Sequence, residues 1–219
     1  MTKQLELFEK FVSDFKRDKS IEGVMLTGSV ACGAETDFSD LDIIALCGEN
    51  KFSSSVIDGI TVEIHYITFD KALEKLNASP MEAYRYLDGK IEYDNGELQK
   101  LVDRAVEIYN HYNIDSKEKN SILYWLKSAK SKLEAAMAGN DKTRISYLVS
   151  INTWKVLEGI WAVNNKPLPP ASSLYRRYKD LKTIPFDGWF ENLMNGGVES
   201  RAKAMSKIIE WIFNRLQYK

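Results

Sequence analysis

The sequence is short of the residues that mark thiol, metal-thiolate or membrane proteins. Its 219 residues hold only two cysteines, Cys32 and Cys47, in no CxxC pair and beside no Cys/His cluster. That excludes a zinc site of the finger or ribbon kind and leaves both as structural thiols. The two histidines, His65 and His111, stand alone and read as surface residues. No stretch approaches the ~20 apolar residues needed to cross a bilayer. The opening residues, Met1-Thr-Lys-Gln-Leu-Glu-Leu-Phe8, lack the apolar core of a signal peptide, so the expected location is the cytoplasm, with no membrane partner. An excess of one charge is missing too. Thirty Lys and Arg against 31 Asp and Glu give a net charge of -1, so no global field favours extended nucleic acid as a partner. There is no internal repeat and no low-complexity tract. What is present suits a packed globule: 44% hydrophobic and 28% charged residues, enough for one generous domain or two small ones.

Apolar residues at Leu5, Leu7, Phe8, Phe11, Val12 and Phe15 recur at helical spacing, predicting a packing helix over the first ~17 residues. Gly23 to Gly28 is short, apolar and closed by glycine, as a buried strand ending in a tight turn would be. Two further strand-like runs, Leu41 to Leu46 and Ile60 to Ile67, flank a polar serine loop with an Asp58-Gly59 hairpin turn. From Phe69 the period becomes helical. Helices are expected over Lys71 to Leu76, Met81 to Leu87, Glu97 to Tyr112, Glu118 to Met137, Thr143 to Val163, Leu174 to Leu181 and Arg201 to Leu216. Breaks fall at residues 77–80, 113–116, 139–141 and 164–170, the last holding three of the five prolines. The five tryptophans are read mostly as core. The fold class is therefore α+β: a small mixed-sheet module, residues 1–115, followed by a carboxy-terminal helical bundle, residues 116–219.

The chemistry concentrates in Gly28-Ser29, then a spacer of ten residues, then Asp40-Leu41-Asp42-Ile43. Side chains along a strand alternate with period two, so Asp-x-Asp at a strand start sends both carboxylates one way while Leu41 and Ile43 enter the core. Such a face can hold magnesium with room left for phosphate oxygens, and two ions ~3.5 to 4 Å apart can serve both the attacking oxygen and the leaving group. Glu63, opposite to Val62, Ile64 and Tyr66 on its own strand, is the third carboxylate, as a metal ligand or as the base for an acceptor's proton. Gly28 and Ser29, in a turn after a buried strand, are placed to grip β and γ phosphates, with Gly33 keeping the next turn open. Ser39, directly before Asp40, is a further nucleotide candidate and equally suited to a local turn bond.

These residues resemble the nucleotidyltransferase superfamily of polymerase-β type, whose signature is Gly-Ser, about ten residues, Asp-hydrophobic-Asp and a later acid on a neighbouring strand. Thr27 departs from it, standing where the family usually has a hydrophobic residue. The helical second half is similar in plan to the antibiotic nucleotidyltransferases acting on aminoglycosides or lincosamides. The resemblance implies ATP or another NTP as co-substrate, two Mg2+ ions, and a small-molecule hydroxyl as acceptor of AMP. A homodimer is left open.

In the long helix from Thr143, an advance of ~100° per residue puts Arg144, Lys155 and Glu158 in one stripe. Arg144 and Lys155 are candidates for triphosphate oxygens, and Glu158 for a cationic substrate or a second base. Two other classes compete: an antitoxin-type enzyme that adenylylates a protein, and a non-catalytic nucleotide-binding protein. The second half counts against the first, and the three intact acids against the second.

Overall fold

The computed structural model describes residues 2–217 and divides into two compact units. The first comprises the described residues up to Asn110 with Pro170–Ser173; the second comprises His111–Pro169 and the described residues from Leu174. The architecture is α+β, a mixed five-stranded sheet with helices followed by a helical region.

In the first unit the order is α1 (Lys3–Phe15), β1 (Ile21–Thr27), a one-turn α2 (Gly28–Ala31), β2 (Leu41–Cys47), β3 (Lys51–Ile57), β4 (Ile60–Ile67), α3 (Phe69–Ala78), a 3-10 turn (Pro80–Glu82), α4 (Ala83–Leu87) and β5 (Lys90–Asp94). The helix α5 (Glu97–His111) then leads into the second unit. Strand order is β3-β4-β2-β1-β5, with β2 and β4 parallel and all other pairs antiparallel. Central β2 is buried on both faces, which is why Leu41 to Cys47 reads as a continuous apolar run rather than an alternating one. Leu41, Ile43 and Ala45 pack with Leu7, Phe8, Val12 and Phe15 of α1. Ile44 and Leu46, on the other face, pack with Ala72 and Leu76 of α3, Tyr86 of α4 and Leu98 of α5.

Two strands escaped the sequence reading. The serine loop is in fact β3, paired to β4 over its whole length through a turn where Asp58 and Gly59 both have positive φ, 52° and 79°. Its side chains are mostly exposed, so no apolar alternation marked it. β5, Lys-Ile-Glu-Tyr-Asp, is a charged edge strand of the kind that resists edge-to-edge pairing, and it is equally silent in hydrophobic pattern.

The second unit contains α6 (Ser116–Ala138), α7 (Lys142–Val163), most of α8 (Ala171–Arg177), α9 (Trp189–Asn195) and α10 (Val198–Leu216). Asp115 and Asp141 cap α6 and α7, accepting from the Glu118 and Arg144 amides at 2.7 and 3.0 Å. Helix α9 was not expected. Trp161 and Trp189 lie in this core, whereas Trp125 and Trp154 are 52% and 40% exposed, so core placement fails for those two. Their helices carry apolar residues on more than one face, and periodicity alone cannot say which face is covered. Among the described residues no helix is long and apolar enough to cross a membrane.

Candidate active site

The carboxylate end of the sheet follows from register. Thr27, Asp42, Glu63 and Ser54 are successive partners across β1, β2, β4 and β3. Register partners on neighbouring strands lie ~4.8 Å apart and project to the same face. Asp42 and Glu63 therefore stand side by side, on the face that Ile44 and Leu46 bury farther along β2. Asp40, exposed and just before β2, is one alternate position from Asp42.

The electrostatics register this crowding. Burial first, then Glu63, then Asp40 raise the Asp42 pKa above its usual 3.8, and Arg85 of α4 works against them. Like charges crowded around a carboxylate are what a divalent cation would relieve. The donor set, three oxygen-only carboxylates, also suits magnesium rather than a soft metal. Among the described residues no group of three His, Cys, Asp or Glu side chains is gathered to coordination distance. The site is thus a register pair with a neighbour, and not a closed cage.

Gly28 makes the close approach feasible. It has φ +69°, and a Cβ there would lie 2.1 Å from Asp42 Oδ2. Only glycine takes this backbone conformation cheaply and leaves the carboxylate its space. Thr27, buried, points its Oγ1 at the Asp42 carbonyl at 3.4 Å. Ser29 is half-buried, and its carbonyl accepts from Cys32 and Ala34, fixing the turn. Ser39 is occupied locally: its Oγ accepts from the Thr36 amide at 2.9 Å.

Arg85 is the residue that the sequence reading missed. It lies between Tyr84 and Tyr86, whose burial anchors α4, and Glu82 is 3.8 Å from its Nε. Its charge reaches both Asp42 and His65. The only signal was a lone arginine within the apolar run Ala83 to Leu87. His65, partner of Ile44 and half-buried, has a lowered pKa, through burial first and then Arg85, and its ring contacts Phe52 at 4.8 Å.

The stripe proposed on α7 lies in the second unit. Lys155 is ion-paired to Glu158, both about one quarter exposed. The pair sits among Tyr112, Asp115 and Glu118; burial first, then Glu118, pushes the Tyr112 hydroxyl up to about 12. Arg144 is exposed in the first turn of α7, eleven residues before Lys155 and so ~16 Å away along the axis. The structure joins Lys155 to Glu158 and leaves Arg144 apart.

No protein-family model and no curated protein matches the chain. Among solved structures it is similar to a nucleotidyltransferase-like protein from Exiguobacterium sibiricum 255-15, at 12% identity and TM-score 0.44, over 96% of this chain and 73% of that one. It is also similar to a spectinomycin adenyltransferase from Enterococcus faecialis, solved with ATP and spectinomycin, at 13% identity and TM-score 0.31, over 98% of each chain.

Proposed function

We propose that this chain is a magnesium-dependent nucleotidyltransferase that moves AMP from ATP onto a hydroxyl of a small molecule, an aminoglycoside or lincosamide antibiotic in the leading version. The observation that carries the reading is the Asp42–Glu63 register pair, with Asp40 beside it and Gly28 held open against the Asp42 carboxylate.

Asp40, Asp42 and Glu63 would hold magnesium, which when bound supplies charge neutralisation on the triphosphate and polarises the α phosphate. The Gly28-Ser29 turn, beyond β1 and beside Asp42, anchors the β and γ phosphates. Arg85, whose charge reaches Asp42, offers a cation suited to the charge that builds on departing pyrophosphate. Glu63, outermost of the three acids towards β3, orients the acceptor hydroxyl and takes its proton. The acceptor oxygen bonds to the α phosphorus as the bond to the bridging oxygen breaks, and pyrophosphate leaves with that electron pair.

The test is pyrophosphate release from each NTP, with and without magnesium, against aminoglycosides, lincosamides and spectinomycin. Acceptor-dependent release that falls by ~10²-fold or more in Asp42→Asn supports the reading. Release that needs neither magnesium nor Asp42 would overturn it. Binding of Mg-ATP without turnover on any drug keeps the site and removes the antibiotic.

A further inference from the structure

The loop from α2 to β2 holds an aromatic ring out in water two residues before Asp40. Phe38 is 94% exposed and stands two residues before Asp40, so their Cα atoms are within about 7 Å. A single exposed phenyl on a slack loop is ordinary. This segment is tied on every side. The Ser39 amide donates to the Thr36 carbonyl at 3.0 Å, the Thr36 amide to Ser39 Oγ at 2.9 Å, and the Phe38 amide to Thr36 Oγ1 at 3.3 Å. From α1, the buried Gln4 donates its Nε2 to the Thr36 and Ser39 carbonyls at 3.0 and 3.3 Å. The turn that carries Phe38 is thereby held in one shape.

The loop carries a second group that folding does not use. Glu35 Oε2 is sealed from water and accepts no hydrogen bond. A buried acceptor without a donor is unfavourable until something supplies one. That oxygen is enclosed and forms no part of the surface on which Phe38 stands.

We infer that Phe38 is the platform on which the nucleobase of the donor nucleotide stacks. This rests on the reading of Asp40, Asp42 and Glu63 as a magnesium-nucleotide site. Topology selects the nucleotide rather than the acceptor. The loop runs from the Gly28-Ser29 turn to Asp40, on the β1 side of β2, while Glu63 lies on β4 at the other flank. With the triphosphate at Gly28-Ser29 and the acceptor at Glu63, the loop is left to the nucleoside. Every base has a π face, so stacking gives affinity without demanding one base.

The experiment is calorimetric titration of Mg-ATP and of Mg-tripolyphosphate into wild type, Phe38→Ala, Phe38→Leu and Phe38→Trp, with thermal melts confirming that each variant folds. Stacking predicts that the Ala and Leu variants bind Mg-ATP about 5- to 100-fold more weakly, that Trp restores or improves binding, and that tripolyphosphate affinity is unchanged throughout. Unchanged Mg-ATP affinity in Phe38→Ala overturns the inference and leaves the site reading standing. Equal weakening of both ligands assigns the effect to loop damage and also overturns it. If wild type binds neither ligand, the site reading falls first and takes this inference with it.

Discussion

Asp42 is a side chain whose ionised form the fold disfavours, through burial and neighbouring acids. Its pKa is raised in the folded chain, so the ionised form is less favourable there than in the unfolded chain. The sign follows. Below the unfolded value of 3.8 the carboxyl is protonated in both states and costs nothing; as pH rises through the folded value the penalty grows, then stays constant above it. Asp42→Asn should therefore melt at a higher temperature than wild type near pH 7 without metal, and the gain should vanish as the pH falls below 3.8. Magnesium should raise the melting temperature of wild type and leave the variant unmoved. Scanning calorimetry across pH checks both, and a less stable variant at pH 7 would mean that the fold does not disfavour the ionised carboxylate.

Gly28 and Gly33 form a controlled pair at the same scale. Both have positive φ, +69° and +64°, but a Cβ on Gly28 meets the Asp42 carboxylate while one on Gly33 meets nothing within 4 Å. Each alanine variant should lose roughly 1–3 kcal/mol from backbone strain. Only Gly28→Ala should also lose activity, by ~10²-fold or more, because it displaces a carboxylate from where the metal is needed. Parallel denaturant melts and activity assays separate the two effects.

At the scale of elements, the helices were legible because burial of one face writes a period into the sequence. Leu7, Phe8, Val12 and Phe15 repeat at helical spacing because α1 covers the sheet. Strands β3 and β5 left no trace in the hydrophobic pattern, since an edge strand with polar side chains is stabilised by its ladder and turn rather than by burial. The Asp58-Gly59 turn was readable, and it implied a strand on each side. Close helix contact is another element-level property that sequence hides. Gly159 of α7 faces Ile212 of α10, where a Cβ would come 2.7 Å from Ile212 Cδ1. Gly159→Ala should gain helix propensity yet destabilise the second unit by roughly 1–3 kcal/mol through overpacking. Tryptophan fluorescence in a urea titration reads this directly; a stabilised variant would show that the two helices can move apart without loss.

Over the whole molecule, the two units bury separate cores, and all five tryptophans belong to the second. The candidate acids and their shared face were legible because Asp-x-Asp and Glu63 obey a local rule, alternation along a strand. Arg85 was not, because the reach of its charge to Asp42 depends on how α4 packs on the sheet, and no local pattern records that. With charge so nearly balanced, the affinity for a polyphosphate that the proposed function requires would have to come from local groups such as Arg85 and bound cations, and not from a field spread over the surface.

The central claim is that the bond broken in ATP is the one between the α and β phosphates, and isotopic labelling tests it most directly. With magnesium and a panel of hydroxyl-bearing acceptors, label from the α position should pass to the acceptor and label from the γ position should emerge in pyrophosphate, with both events lost in Asp42→Asn. Transfer of the γ label, or release of γ label as orthophosphate with ADP left behind, would contradict the account.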